Sequence, residues 1–353
     1  MQTKQLSAAI EVITPYLESK VEGQPLVAAK CIGLMHGYDA KWSNSPFLID
    51  GVEAVLTSDL YNPASGRKSR TFTSAGKLDV RATEASTGKK IIFDHKTTME
   101  DISDPASDYW KQLVVEGQAT HYMLLEWLNG HKVDAAVWDV VRKPGISPRA
   151  TTKAETALLV RDGLYCGRLF SAEEKEQWIA DKDRKETPLM YSMRLAQDCT
   201  TERPHRYFQR RMIPRLEGEI REYASDQWDI GQDIIHARAN DRHPRNSGAC
   251  MLHHSPCKFL GVCSGHDTLD SERWKKRDWV HPELPIVGQT NGEDILTNSR
   301  MRMFQTCKRK HYYHYELGVE RVYEEEKEVL FFGNVFHEAL EQFFLELKKQ
   351  QKR

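Results

Sequence analysis

No run of the chain approaches the ~18 consecutive apolar residues that a membrane span requires. The opening Met1-Gln2-Thr3-Lys4-Gln5-Leu6 has no apolar centre of the kind a secretory signal carries. Cytoplasmic residence, with no membrane partner, is therefore expected. Charge of one sign is lacking too: 50 Lys+Arg offset 51 Asp+Glu, for a formal net charge of −1. That excludes a histone-like polycation, so any nucleic-acid contact must rest on local basic patches. No internal repeat is present. At 353 residues, 40% hydrophobic and 29% charged, the chain has the composition of a folded protein of roughly two domains, or of one core enlarged by insertions. An even cysteine count is also missing. Cys31, Cys166, Cys199, Cys250, Cys257, Cys263 and Cys307 make an odd set, which argues against a disulfide framework. Three of the seven crowd into residues 250–263, and that crowding points to a metal.

Apolar spacing predicts helix over 5–40, through Leu6, Ile10, Ile13, Leu17, Leu26, Ala29, Ile32 and Leu34. The period then changes. Strands are predicted at 52–56, 71–83 and 90–96, with turns at 62–66 and at Ser86-Thr87-Gly88. A helix over 108–128, a strand over 132–141, polar helical structure over 152–200, an edge strand at 205–212 and a helix from Pro214 to about Ala239 follow. Residues 245–266 have no periodicity, and 267–298 read as a linker. Thr297-Asn298-Ser299 caps a predicted helix to about Tyr315, and a last helix covers 333–349.

The strongest chemical signal is the pair Gly76-Lys77-Leu78-Asp79 and Asp94-His95-Lys96. Acidic residues on neighbouring strands can share one hard divalent cation. The period of two puts Asp94 and Lys96 on one face and His95 on the other. A divalent ion neutralises developing charge and acidifies water, and a lysine beside it can orient the nucleophile, which suits phosphodiester hydrolysis. Taken alone, a D-x-K tripeptide is usually a solvated strand edge. Here Ile92 and Phe93 make the strand a buried one, where a charged end needs a reason. Further on, Gln118 and Tyr122 stand one helical turn apart.

The set G-K-L-D, D-H-K and Q-x-x-x-Y, in that order, resembles the PD-(D/E)XK nucleases of the RecB-like branch, phage and prophage members above all. The likeness extends to Thr97-Thr98, to Asp108-Tyr109-Trp110 and to Trp138-Asp139-Val140-Val141-Arg142-Lys143-Pro144. That branch implies a further metal ligand, a histidine within G-x-x-x-H-x-x-x-E placed before the Asp strand. No such motif precedes Asp79, where His36 lacks the pattern. It occurs instead at Gly333-Asn334-Val335-Phe336-His337-Glu338-Ala339-Leu340-Glu341.

Cys250-x6-Cys257-x5-Cys263 supplies three soft ligands, one short of a closed site. It resembles the iron–sulfur nucleases of the RecB-like and AddB-like type, in which a fourth cysteine precedes the core in a C-x-x-K/H-Y-Y helix. That element is here Cys307-Lys308-Arg309-Lys310-His311-Tyr312-Tyr313, again near the far end. The resemblance favours an iron–sulfur cluster, four-iron four-sulfur. A Zn²⁺ site completed by His253, His254 or Cys307 is the alternative, because thiolates serve both. Cys31, Cys166 and Cys199 read as ordinary thiols.

Both displaced elements fall in residues 297–345, so the parts resemble a circularly permuted nuclease; a truncated tandem copy is the other account. The expected organisation is a nuclease core over 1–200, a strand and helical extension over 201–245, a Cys-rich metal segment over 246–266, a linker over 267–298, and a permuted helical segment over 299–353. The fold class implied is α/β: a restriction-endonuclease-like mixed central sheet flanked by helices, with a Cys-rich metal subdomain. The resemblance implies metal-dependent cleavage of DNA, exonucleolytic, in recombination or phage DNA processing, with recombination or phage replication proteins as further partners. It implies Asp79, Asp94, the main-chain carbonyl of His95 and His337 as ligands of Mg²⁺ or Mn²⁺. Lys96 would position water, and Gln118 and Tyr122 would support it. Arg142, Lys143, Arg149 and Lys308-Arg309-Lys310 are candidates for phosphate, and Trp110, Tyr312 and Tyr313 for base stacking. Two rivals are a DNA-binding protein that keeps the fold without turnover and a zinc-stabilised adaptor.

Overall fold

The computed structural model describes residues 8–21, 23–42, 44–252, 255–284, 294–323 and 328–352. The chain opens with α1 (Ala8–Lys20) and α2 (Pro25–Trp42). Ile10, Ile13 and Leu17 recur at helical spacing and are buried. The single helix predicted over 5–40 is thus two. It breaks at Gly23, whose φ of +82° suits glycine, and restarts at Pro25, where a missing N–H is no loss.

A long antiparallel hairpin follows, β1 (Phe47–Tyr61) and β2 (Lys68–Glu84). β1 far exceeds the strand predicted at 52–56. It is a sheet edge, and polar residues such as Asp50, Ser58 and Asp59 blur its alternation. β3 (Lys90–Thr98) pairs antiparallel with β2. The helix predicted over 108–128 is α3 (Asp108–Val115) and α4 (Gly117–Leu128), separated by extended Glu116. β4 (Ala135–Arg142) runs parallel to β3.

Residues 152–200 hold α5 (Lys153–Asp162), α6 (Ala172–Ala180) and α7 (Pro188–Gln197), with reciprocal caps at Thr152/Glu155 and Ser171/Glu174. A short hairpin, Leu164–Tyr165 with Arg168–Leu169, interrupts them; two-residue strands have no period to read. β5 (Phe208–Ile213) is the edge strand predicted at 205–212, antiparallel to β4. α8 (Glu217–Ala239) begins three residues after Pro214. The stretch predicted to be a linker carries two strands: Trp274–Lys276, paired with Val319–Arg321, and β6 (Asp294–Leu296). Trp274, Ile295 and Leu296 are few in sequence, yet each is buried. Pro285, Gly288 and Gly292 lie outside the described residues. α9 (Asn298–Thr306) breaks at extended Cys307, helical turns resume over Lys308–His311 and Tyr312–Glu316, so that the predicted helix to about Tyr315 is present but interrupted, and α10 (Glu328–Gln351) follows.

The sheet order is β1-β2-β3-β4-β5, with β6 parallel to β2. This is a mixed central sheet flanked by helices, consistent with a restriction-endonuclease-like fold. One face packs on α1, α2 and α10 through Phe93, Val137, Phe336 and Phe343. The other packs on α3 and α4 through Leu78, Ile92, Trp110, Leu125 and Trp138. α8 and α9 cover Leu60 and Phe72. Phe336, Leu340 and Phe343 are fully buried. At roughly 1.5–3 kcal/mol for each such side chain, α10 is bound firmly to the core of its own chain. No helix among the described residues is long and apolar enough to cross a membrane.

Candidate active site

The site lies where β2 loses a neighbour. β3 pairs with Val80–Thr83 and β6 with Phe72–Ser74 on the same edge of β2. Between them, no strand among the described residues pairs with residues 75–79 on that edge. A side chain takes over at this gap: Asp79 Oδ2 accepts the main-chain N–H of His95 at 2.6 Å. In a strand the N–H and C=O of one residue point to the same edge, so the His95 carbonyl opens toward the gap as well. Burial, and then the Asp94 carboxylate, push the Asp79 carboxyl well above the usual carboxylate range.

Strand alternation sets Asp94 and Lys96 on the α4 face. Asp94 is buried, and its Oδ2 lies 2.5 Å from Lys96 Nζ. Lys96 Nζ donates to Gln118 Oε1 at 2.7 Å, and Gln118 Nε2 donates to Tyr122 Oη at 2.8 Å. The lysine also lies 5.1 Å over the Trp138 ring. The structure therefore brings five of the predicted residues, Asp79, Asp94, Lys96, Gln118 and Tyr122, around one gap. Burial, then Asp94 and Asp79, raise the Tyr122 phenol well above its ordinary value, so it stays protonated. Gly76 makes room for it: a Cβ there would stand 2.9 Å from Cε1 of Tyr122.

His95 points to the opposite face. Its Nδ1 lies 3.2 Å from Asp139 Oδ2, its ring stacks on Phe344 at 5.1 Å, and the His337 ring meets it edge-on at 6.4 Å. α10 reaches this point because Gly333 lets it approach β3; a Cβ there would stand 3.2 Å from Thr97 Oγ1. Burial, then His95 and Lys96, push His337 down to about 3, so its imidazole is neutral and able to ligate. Glu341, half-buried one turn later, has its carboxyl raised by burial and by Glu53. Glu53, which pairs with Lys77 and has a φ of +52°, carried no signal in the sequence. Asp139, Arg210 and Tyr38 were missed as well. A charged residue inside the otherwise apolar run Ala135–Val141 was the available clue to Asp139.

Two carboxylates, a carbonyl oxygen and a neutral imidazole suit a hard divalent cation. The buried Asp94 Oδ2 supports that fit, because it accepts no aligned hydrogen bond despite its nearness to Lys96. The expected ligand shell is nonetheless not closed. Among the described residues no three His, Cys, Asp or Glu side chains group tightly enough to hold a metal ion. Asp79 is engaged by the His95 N–H, Asp94 by Lys96, and His337 stands on the His95 side of β3.

Cys250, Cys257, Cys263 and Cys307 all line one cavity of about 20 Å³, although among the described residues no three of them group tightly enough to hold a metal ion. Asn246 ties two of them: its N–H approaches Cys307 Sγ at 3.4 Å, and its carbonyl accepts from Cys250 Sγ at 3.7 Å. Phe259, Trp274, Tyr313 and Val319 form a small apolar core beside them. His253 and His254 lie outside the described residues. Cys31 and Cys199 are buried in the main core, and Cys166 sits in the short hairpin.

Several candidates for DNA contact are otherwise engaged. Arg149 makes a two-pronged pair with Glu155, at 2.9 and 2.7 Å. Trp110 and Tyr313 are buried, and Tyr312 stacks on His243 at 4.0 Å. Lys308 lies 3.5 Å from Asp233, and Arg309 holds the His243 carbonyl. Arg142 pairs with Asp101 at 3.2 Å near the end of β4, and Lys143 lies 5.5 Å over Phe332 of α10.

No curated protein and no solved structure matches the chain. A family model of the PD-(D/E)XK nuclease superfamily matches residues 295–353, the segment that carries Cys307 and His337.

Proposed function

We propose that the protein is a divalent-metal-dependent nuclease that hydrolyses DNA phosphodiesters, an exonuclease of recombination or phage DNA processing, with the parts of a RecB-like nuclease in rotated order. One observation carries the reading: an ammonium bridging a buried carboxylate and a glutamine, at a strand gap that a second carboxylate lines. The match over residues 295–353 supports it from an independent part of the chain.

Asp79, Asp94, the His95 carbonyl and His337 would hold Mg²⁺ or Mn²⁺, which supplies positive charge against the phosphate oxygens when bound. Gln118 accepts a hydrogen bond from Lys96, and the Asp94 carboxylate lies 2.5 Å from the same ammonium; the two hold Lys96 at the gap, where it would orient the attacking water toward phosphorus. Tyr122 holds Gln118 in place. Arg142 and Lys143, at the end of β4, supply charge for the DNA backbone. Cys250, Cys257, Cys263 and Cys307 would hold a four-iron four-sulfur cluster, with Zn²⁺ as the alternative; brown colour and visible absorption of the purified protein separate the two. Partners from recombination or phage replication follow from the same reading.

The test is degradation of labelled linear and circular DNA with Mg²⁺ or Mn²⁺, against a chelator control. Wild type should degrade linear DNA, and Lys96→Ala should be slower by ~10²-fold or more, the scale of a positioned acid–base group. Wild type that binds DNA and never cuts it would turn the reading to a binding protein. Cutting of circular DNA would turn it to an endonuclease.

A further inference from the structure

Three ionisable side chains stand in register across β3, β4 and β5 on one sheet face. His95 is the ladder partner of Asp139, and Asp139 is the ladder partner of Arg210. Asp139 is fully buried, with Oδ1 3.2 Å from Arg210 Nε and Oδ2 accepting from Arg210 Nη2 at 3.2 Å. Tyr38 donates a further hydrogen bond to it. Replacing buried ions of this kind by apolar side chains of similar volume is often neutral or stabilising. Stability alone therefore gives little reason for the row.

Its position gives a better one. The row ends on His95, the residue whose main chain faces the gap between β2 and β3. There β3 has lost its partner strand, and among the described residues the His95 N–H on that edge is held by Asp79. The His95 ring stacks on Phe344 at 5.1 Å, and the His337 ring faces it edge-on with centroids 6.4 Å apart. We propose that Asp139 is a positioning residue of the metal site: it fixes the His95 ring, and through it both the His95 carbonyl and the His337 imidazole. The inference rests on the nuclease reading and extends its site to the face opposite Lys96.

The experiment measures Mn²⁺ affinity from the spin-resonance signal of free Mn²⁺, together with DNA cleavage, for wild type, Asp139→Asn, His95→Phe and the double variant. Losing an outer partner of a metal site weakens binding by roughly 10- to 100-fold, and that loss is expected in each single variant. The double variant should lose no more than the worse single one. Additive losses would show Asp139 acting by another route and would overturn the proposal. If Asp139→Asn fails to fold because Arg210 loses its partner, His95→Phe decides alone, since it leaves Asp139, Arg210 and Tyr38 together. Wild-type Mn²⁺ affinity in folded His95→Phe would overturn the positioning role while the nuclease reading stood. Wild type that binds Mn²⁺ without cutting DNA would overturn the nuclease reading, and the affinities would still decide the role of Asp139. Wild type that binds no Mn²⁺ would remove both.

Discussion

The Asp79 carboxylate takes the place of a missing strand: its Oδ2 accepts the His95 main-chain N–H at 2.6 Å where β2 and β3 have ceased to pair. A neutral amide oxygen could accept the same bond. The negative charge adds nothing to it that burial and Asp94 do not oppose. Asp79→Asn should therefore fold normally, with a melting temperature in divalent-free buffer equal to or above that of wild type. Divalent-dependent cleavage should disappear in the same variant. A melting temperature several degrees lower would mean that the carboxylate serves the fold rather than the chemistry.

Gly76 and Tyr122 make a second coupled pair. A methyl group at residue 76 would meet the tyrosine ring at 2.9 Å and Leu125 Cδ1 at 3.1 Å. Both neighbours belong to buried α4, so the strain cannot escape to solvent. Gly76→Ala should cost about 1–3 kcal/mol by overpacking. Displacing Tyr122 also loosens Gln118 and then Lys96, so kcat should fall more than KM changes. Gly66, whose φ is +66° and which has open space around it, is the control for a glycine lost elsewhere. Gly66→Ala should lower stability through backbone strain and leave kcat alone.

The four cysteines meet at one cavity although Cys307 lies far from the others in sequence. On the proposal that they hold a cluster or Zn²⁺, replacing any one of them with Ala should lower the metal content of the purified protein and destabilise the fold, because at such sites metal-binding energy is folding energy. Cys166→Ala should do neither. Metal analysis and thermal melts of the purified variants read both effects. Full metal content in Cys307→Ala would remove the fourth ligand and return the assignment to a histidine.

What could be read from sequence was local. The period of two separated Asp94 and Lys96 from His95, and one helical turn set Gln118 beside Tyr122, so that half of the site was legible before any coordinate. What could not be read depended on contacts across the chain. Nothing near Asp79 announces that one edge of β2 lacks a partner strand there among the described residues, because the gap arises from where β3 and β6 end. β6 itself has three residues and no period. Asp139, Arg210 and Tyr38 lie in three separate elements and become one group only when the sheet forms. The helix break at Glu116 was invisible because apolar spacing continues across it, whereas the one at Gly23 was marked by Gly23 and Pro25 and was overridden by the periodicity. His337 illustrates both sides: its motif could be read, but its place on the His95 side of β3 could not.

A pH effect on the fold, separate from the metal site, follows from His121. This side chain is fully buried on α4, and its Nε2 lies 3.0 Å from the Ala75 carbonyl. A carbonyl oxygen only accepts, so Nε2 carries a proton, and burial of the ring disfavours a second one on Nδ1. Burial pushes the imidazole down to about 4 from its ordinary 6.5. The sign follows directly. The folded state favours the neutral ring, so this contribution is complete above pH 6.5 and is lost as pH falls toward 4. The loss amounts to roughly 3 kcal/mol. His121→Gln keeps a donor for the Ala75 carbonyl and does not titrate. The variant should be somewhat less stable than wild type at neutral pH, yet its stability should fall by roughly 3 kcal/mol less than wild type across that window. Burial also lowers His36 and His314, but both are present in each protein, and their effect cancels in the difference. Urea unfolding at pH 7.5, 6, 5 and 4 makes the comparison, with pH values chosen as about one per unit. Parallel curves for the two proteins would show that His121 titrates at its ordinary value and is not held neutral against the strand.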